Sequence, residues 1–430
     1  MNGFLGVLAL LALLTLGVPI GVAMGLVGMV GLTLMLGLEP ALIKSGVVLF
    51  ETISRYELGV LPLFLLMAHL CFAAGATRDF FDAAARLIGH RRGGLALASI
   101  AGCAGFGAIS GSSLATAATV GLVGLPEMRS RGYSDALATG SIAAGGTLGS
   151  ITPPSGALIV FGILAEQSIG TLFTAAIVPA MTQAIFYMAT IVILCRWRPS
   201  IAPATQKASW SERRAALLRV TDVAALIVVV LGGIALGWFT PTEAASVGAT
   251  GALLICALRR KLQWAALRKA LGETLRTTGM IYVVIIGALI FSVFMSLTGL
   301  AEQVSSVMAG LEGGQIVAVI VMALLLLALG SVLDGLAMML LVTPIFLPIV
   351  VNLGLSPIWF GIFLVRTMEI GFVHPPIGIN LYVIQGIAKT VPLSRIFKGV
   401  LPFLAADFVH LAILIVMPSL ALALPELLSR

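Results

Sequence analysis

A soluble chain of 430 residues would be expected to fold into two or three domains with charged surfaces. Here 60% of the residues are hydrophobic, only 10% are charged, and the mean hydropathy is +1.13. This composition excludes an ordinary soluble protein and indicates that lipid surrounds most of the chain. The net charge of +7 does not indicate a nucleic-acid partner, because the basic residues lie in short segments beside apolar stretches and so encode membrane topology.

Apolar stretches long enough for membrane helices recur along the chain, the first of them at residues 4–16. No Lys or Arg precedes this stretch and no small-residue cleavage site follows it, so we expect a retained helix rather than a signal peptide. The cysteines lack paired spacing, which predicts buried thiols instead of a disulfide framework or a zinc site. No serine-hydrolase or zinc-protease motif is present, so the sequence does not predict an enzyme.

Prolines recur at a constant offset of 222 residues between the two halves of the chain. The matching pairs are Pro19 with Pro241, Pro126 with Pro348, Pro153 with Pro375, and Pro154 with Pro376. This register predicts two copies of one unit, residues 1–198 and 220–430, joined by a basic linker at residues 199–219.

The distribution of basic residues predicts that the two copies have opposite orientations. The segment at residues 78–92 holds four arginines, whereas its partner at residues 300–314 holds two glutamates and no basic residue. Since Lys and Arg concentrate in cytoplasmic loops, the first segment, the linker and residues 259–276 are assigned to the cytoplasm. Both chain ends are then expected on the periplasmic side of the bacterial inner membrane.

In chain order, the first unit is predicted to contain scaffold helices and then a hairpin at residues 93–126 that enters and leaves through the cytoplasmic face. Each arm has about 15 residues and covers roughly 22 Å, which is too short to cross the bilayer. The break falls at residues 110–113, with the sequence SGSS. Its partner at residues 314–348 breaks around residues 330–335 and is predicted to enter from the periplasmic side.

A broken helix is predicted after each hairpin, at residues 134–167 and 357–388, because each contains a proline pair. Unwound backbone within a bilayer is costly unless it lines a site. Between them, the basic stretch at residues 259–278 is predicted to lie along the cytoplasmic surface as an amphipathic arm, with a partner at residues 43–55 on the other face.

The two hairpin tips and the two broken helices should bring unpaired backbone groups to one point, which predicts a secondary transporter with an ion and substrate site. Carbonyl and hydroxyl oxygens suit Na⁺, and helix N-termini favour a carboxylate. The Na⁺ candidates are Ser110, Gly111, Ser112, Thr147, Gly149, Pro153, Gly330, Asp334, Glu369, Gly371 and Pro375. The substrate candidates are Ser113, Thr152, Ser155, Arg366 and His374.

Several of these residues have a purely structural alternative. The tip serines and Asp334 could serve as helix N-caps, which does not exclude ion binding. Arg366 could attract a substrate carboxylate, or it could be neutralised by Glu369 one turn later. Glu243 is interpreted as a helix N-terminal charge rather than a ligand.

At these residues the chain resembles the large membrane subunit of the tripartite ATP-independent periplasmic (TRAP) transporters, of the dicarboxylate and sialic-acid type. The matching stretches are GVPIGVAMG from Gly17, GFGAISGSSLATAATVG from Gly105, GTLGSITPPS from Gly146, TPTEAASVGA from Thr240, LDGLAMMLLVTPIFLP from Leu333, and EIGFVHPPIGINL from Glu369. They extend over nearly the whole chain. His374 stands where this family pattern leads us to expect a small hydroxylated residue.

The resemblance implies an elevator-type symporter, in which a domain carrying both hairpins moves against a scaffold, with Na⁺ as the coupling ion and no organic cofactor. It also implies two partners, a soluble periplasmic protein (P) that delivers an organic acid and a small membrane subunit (Q). The alternative is a stand-alone Na⁺/carboxylate symporter of the same superfamily, which shares the hairpins but needs no binding protein.

Overall fold

The computed structural model describes residues 3–309, 314–331, 333–375 and 377–428, and within these ranges it contains helices and no strands. The helices of the first half are α1 (Gly3–Thr15), α2 (Ile20–Leu36), α3 (Leu38–Ser54), α4 (Val60–Ala73), α5 (Ala76–Ile88), α6 (Gly94–Ser110), α7 (Ser113–Ser130), α8 (Asp135–Ile151), α9 (Gly156–Leu164) and α10 (Ile169–Trp197). Those of the second half are α11 (Trp210–Ala235), α12 (Pro241–Leu258), α13 (Trp264–Thr298), α14 (Leu300–Ala309), α15 (Gly314–Gly330), α16 (Gly335–Asn352), α17 (Pro357–Val373), α18 (Ile379–Ile387), α19 (Leu393–Val416) and α20 (Ser419–Leu428). Short 3₁₀ turns at Tyr56–Gly59 and Pro199–Ile201 complete the described structure.

Seven segments of the described chain are long and apolar enough to cross a membrane. They are Tyr56–Ala73, which includes α4, and the helices α10, α11, α12, α13, α16 and α19. The pair α8 and α9 adds an eighth candidate, in which the two helices meet at a bend of 40°. The predicted all-α, multi-pass membrane fold is therefore confirmed.

Helix bounds in the second half follow those in the first half at the offset found in the sequence. α8 runs from residue 135 to 151 and α17 from 357 to 373, and both differences, 357 − 135 and 373 − 151, equal 222. α7 and α16 obey the same rule at both ends, and both hairpin segments break within the predicted four to six residues. The opposite orientation of the two units and the re-entrant course of the two hairpins stay predictions. α16, an arm of the second hairpin, has 18 residues and is by length and composition a candidate span, so it is longer than the predicted arm.

The amphipathic arm differs from the predicted boundaries. The helix begins at Trp264 instead of residue 259 and continues without interruption to Thr298, a length of 35 residues. In the first half the corresponding segment is divided into α3 and α4, and α4 carries Pro62 in its first turn. A proline lacks the amide proton and its ring clashes with the preceding turn, so it disfavours a helix that continues from α3 into α4. Residue 284 at the same offset is valine, and no proline lies in α13. The helix therefore exceeds the roughly 20 residues that a bilayer requires.

The broken helices lie at the centre of the molecule. Every residue of α17 from Trp359 to Val373 is buried, as is every residue of α8 from Leu137 to Ile151. α6 and α7 pack against α8, and α15 and α16 pack against α17, so each hairpin lies beside the broken helix of its own half. α2 packs against α13 and α4 against α12. Small residues permit these close approaches.

The predicted linker is partly helical. Residues 202–209 form no helix or strand, and α11 then begins inside the segment with a capping box formed by Ser209 and Glu212. Thr240 and Glu243 form the same motif at the start of α12, which confirms the interpretation of Glu243 as a helix N-terminal charge. The cysteines are all buried and unpaired, as predicted.

The basic linker provides a test of topology. Lys207 is exposed in the non-helical part of the linker, so a reporter domain inserted there should be tolerated. We expect this reporter to be cytoplasmic, because basic residues surround it, and a reporter attached at the chain end to be periplasmic. The last two residues, Ser429 and Arg430, lie outside the described residues. Placement of both reporters on one side would contradict the two-unit topology.

Candidate functional site at the hairpin tips

A cavity of about 490 Å³ lies at the tip of the first hairpin, between the hairpins and the helices α2, α4 and α13. Its polar wall is formed by the tip itself, the turn between α8 and α9, and the start of α16. The residues of this wall are Ser110, Gly111, Ser112, Ser113, Ser150, Pro154, Gly156 and Asp334. Residues such as Phe64 on α4 and Met280 on α13 form an apolar wall opposite. The volume matches that of sites for small molecules.

The turn at the first tip is defined by the conformation of Gly111 and by two hydrogen bonds. Gly111 has a φ of +57°, a conformation that side chains disfavour, and it allows α6 to end one residue before the next helix is capped. The Ser112 hydroxyl accepts a bond from the Ala115 amide at 3.4 Å, so it is an N-cap of α7. The Gly111 carbonyl accepts a bond from the Gly156 amide at 3.3 Å, which joins the tip to α9.

The second tip contributes Asp334, whose carboxylate accepts a bond from the Leu336 amide at 2.9 Å and caps α16. Asp334 lies 222 residues after Ser112, so the two tips carry their capping residues at equivalent positions (334 − 112 = 222). The Asp334 side chain is exposed to the cavity. Both residues are therefore caps, and both also border the site.

Three helix N-termini border this cavity. α7 begins at Ser113, α9 at Gly156 and α16 at Gly335, and residues of all three first turns line the wall. The first amides of a helix have no partner within the helix, and the helix dipole places partial positive charge there. Such an arrangement favours a bound anion, while the carbonyl and hydroxyl oxygens between the helices are suited to a hard cation.

The predicted Na⁺ residues on the broken helices lie behind the cavity wall. A Cβ atom on Gly149 would come within 2.5 Å of the Ser112 carbonyl oxygen, and one on Gly371 within 2.6 Å of the Gly330 carbonyl oxygen. Each glycine thus lets a hairpin backbone approach its own broken helix. Pro153 is buried and precedes a cis peptide bond to Pro154.

Pro375 is half-buried in the turn after α17 and does not line the cavity. The last two Na⁺ candidates, Thr147 and Glu369, are fully buried and bonded to other side chains.

Arg366 is placed away from the cavity and forms a buried ion cluster. One terminal nitrogen donates to Glu369 at 2.5 Å and the other to Asp407 at 2.9 Å, and none of the three side chains is more than 1% exposed. Both carboxylates compensate the guanidinium, so this geometry favours the structural alternative for Arg366 over a role in attracting substrate.

The other predicted substrate residues divide into two groups. Ser113 lines the cavity, whereas Ser155 is fully buried and caps α9. Thr152 and His374 each end a broken helix, are half-buried, and have a buried side-chain atom without a hydrogen-bond partner. They lie in the turns that interrupt the broken helices, outside the cavity lining.

Two polar residues at the site, Asn380 and Thr277, were not predicted from the sequence. Asn380 on α18 donates to the Ser113 hydroxyl at 2.8 Å, which links the second broken helix to the first hairpin tip. Asn380 is a polar residue within an apolar helix, and polar residues at membrane depth commonly mark a functional site. Thr277 on α13 brings a hydroxyl to the opposite wall, and no sequence signal placed this helix beside the tip.

Residues 7–420 match the family model described as "Tripartite ATP-independent periplasmic transporter, DctM component". The chain is 35% identical over 404 residues to the C4-dicarboxylate TRAP transporter large permease protein DctM of Pseudomonas aeruginosa, with 94% of each chain covered. It is 32% identical over 378 residues to the sialic acid TRAP transporter large permease protein SiaM of Vibrio cholerae, with 87% of each covered.

A similarity to solved structures agrees with the membrane fold. The YdaH transporter of Alcanivorax borkumensis, described as having an unusual topology, aligns with a TM-score of 0.60 and 14% identity over 89% of each chain. At this identity the likeness concerns the fold alone. The sequence relatives are transporter permease subunits and not enzymes. The chain belongs to the DctM family, the large permease component of the tripartite ATP-independent periplasmic transporters.

Proposed function

We propose that this subunit couples the entry of Na⁺ to the uptake of an organic acid that a periplasmic binding protein delivers, and that it does so by an elevator movement. The observation that carries the proposal is the convergence of three helix N-termini, from both hairpins and the first broken helix, on one cavity. The converging amides would bind the carboxylate of the substrate. The backbone and serine oxygens at the first tip would bind Na⁺.

The asymmetry of the cavity supports movement of one wall against the other. The wall formed by the hairpins and broken helices carries the serines and Asp334 among apolar side chains such as Leu336, whereas the wall formed by α4 and α13 is apolar apart from Thr277. An apolar surface makes few directional bonds. The wall that holds the substrate can therefore slide along it while the substrate stays bound. We therefore assign the hairpins and broken helices to the moving part, and α2, α4 and α13 to the scaffold.

The names of the relatives support a carboxylate as substrate and two protein partners. They refer to C4-dicarboxylates, to sialic acid and, in Escherichia coli, to 2,3-diketo-L-gulonate. These are carboxylic acids, and a further relative, from Oleidesulfovibrio alaskensis, is named for isethionate, which is a sulfonic acid. We propose that the partners are a soluble periplasmic binding protein (P) and a small membrane subunit (Q). Exposed apolar side chains of α13, including Leu275 and Val283, offer a surface for lipid or for the small subunit.

The decisive experiment is uptake into proteoliposomes that contain this chain and its small membrane subunit. We expect accumulation of a radiolabelled C4-dicarboxylate or sialic acid only when an inward Na⁺ gradient and the loaded binding protein are both present. Dissipation of the gradient should abolish accumulation. Uptake of free substrate without the binding protein would support the stand-alone symporter instead, and accumulation without any Na⁺ gradient would contradict the proposed coupling.

A further inference from the structure

A buried network of polar side chains joins the last turns of the two broken helices. In order along its bonds, its members are Thr147 on α8, Tyr187 on α10, Asp407 on α19, and Arg366 and Glu369 on α17, with Gln183 on α10 bonded to the first two. All six side chains are at most 1% exposed. Four helices of the molecule's centre are thereby connected through side chains alone.

The distances in this network leave little room for displacement. The Thr147 and Tyr187 hydroxyl oxygens are 3.0 Å apart, the Tyr187 hydroxyl donates to Asp407 at 2.7 Å, and the Thr147 hydroxyl donates to the Ala144 carbonyl of its own helix at 2.7 Å. Because each hydroxyl has a single proton, the Gln183 amide, which donates to both, joins Thr147 to Tyr187. Gln183 donates to the Tyr187 hydroxyl at 2.9 Å and to Thr147 at 3.2 Å. Because hydrogen bonds weaken steeply beyond such lengths, a shift of one broken helix against the other would break the network.

The two ends of the network occupy equivalent positions in the two halves of the chain. Thr147 and Glu369 are separated by the offset of the repeat, since 369 − 147 = 222. Two residues after each of them comes the glycine, Gly149 or Gly371, whose missing side chain lets the hairpin of that half contact the broken helix. The network therefore closes an unbroken path of contacts from one hairpin to the other.

Stability does not account for such a cluster, because removing charges from water costs about as much as their pairing returns. What a buried cluster of this kind fixes is relative position. We propose that this network holds the two broken helices in register, so that the sites at the two hairpins bind ions as one cooperative unit. Thr147 and Tyr187 are positioning residues in this arrangement, and the inference rests on the proposed Na⁺ coupling.

The test uses variants that weaken the network without leaving a charge unpaired. Thr147→Val and Tyr187→Phe each remove one hydroxyl group, while Asp407 keeps its bond to Arg366. We expect both variants to raise the Na⁺ concentration for half-maximal uptake by about fivefold, which is the lower end of the affinity changes that coupling between two sites produces. The Hill coefficient for Na⁺ should fall toward one, because the two ion sites would no longer be coupled. Thr147→Ser, which restores the hydroxyl, should recover the wild-type values.

A matched control lies on the same helix. Thr139 on α8 is as buried as Thr147, and the hydroxyls of both donate to the backbone of α8, but among the described residues that of Thr139 has no side-chain partner whereas that of Thr147 does. Thr139→Val should therefore leave both Na⁺ parameters unchanged. A merely structural role of Thr147 would lower the yield of folded protein or the maximal rate without moving the Hill coefficient.

The outcomes separate this inference from the proposed function. Wild-type uptake that depends cooperatively on Na⁺, combined with an unchanged Hill coefficient and half-saturation in Thr147→Val and Tyr187→Phe, would overturn the network's role alone. Wild-type uptake that ignores Na⁺ would overturn the proposed function and this inference together.

Discussion

Replacing Arg366 with methionine should destabilise the folded protein by about 3–5 kcal/mol, because Glu369 and Asp407 would then face each other in the protein interior without a counter-charge. Methionine approximates the length of the side chain, so the loss of charge is the main change. The expected measurement is a large drop in the midpoint temperature of unfolding in detergent, compared with the wild-type protein in the same detergent.

Two further variants decide the origin of this effect. The triple change Arg366→Met, Glu369→Gln and Asp407→Asn removes all three charges and should recover most of the lost stability. Arg55→Met breaks a pair with Glu166 in which the side chains are 34% and 78% exposed, and should cost about 0–1 kcal/mol. If Arg366→Met unfolds at the same temperature as Arg55→Met, Arg366 does not compensate the charges of the two buried carboxylates.

The helix breaks could be predicted from the sequence because they are local. A proline pair interrupts a helix within one turn, and so does a glycine in the left-handed conformation with serines beside it. These effects do not depend on what packs nearby. The same local chemistry predicted Glu243 as a helix N-terminal charge, since its partner Thr240 lies only three residues away. Repetition at a fixed offset added a second, independent copy of each signal.

The partners of Arg366 could not be predicted in the same way. Glu369 is one helical turn after Arg366 and was predicted as its partner. Asp407 lies on α19, 41 residues after Arg366. Its contact depends on how α19 packs against α17 and α10, which no residue pattern encodes. For the same reason the sequence did not place Thr277 opposite the first hairpin tip, since the two lie in different halves of the chain.

The continuous helix α13 shows a third limit. Its basic first half has the composition of a surface helix, yet the helix has no internal proline and continues from Trp264 to Thr298 through Gly272 and Gly279. Basic composition therefore does not predict where the helix ends, and the proline that accompanies the break in the first half, Pro62, has valine at the equivalent position of the second half.

Asp334→Ala should raise the Na⁺ concentration for half-maximal uptake by about tenfold or more, because it removes both a carboxylate oxygen and a negative charge from the cavity wall. Ser112→Ala, at the equivalent position of the first tip, should raise it less, since only a neutral hydroxyl is lost. Ser211→Ala on the exposed start of α11 should have no effect.

The capping role of Asp334 must be separated from its role at the site, and Asp334→Ser does this. Serine keeps an oxygen that can cap α16 but carries no charge. If the carboxylate acts on the ion, Asp334→Ser should show nearly the same increase in half-saturating Na⁺ concentration as Asp334→Ala, while the folded protein keeps its wild-type unfolding temperature. If Asp334→Ser behaves as wild type in Na⁺-dependent uptake, the residue serves only to begin the helix, and the ion must be held by the backbone and the serines of the first tip.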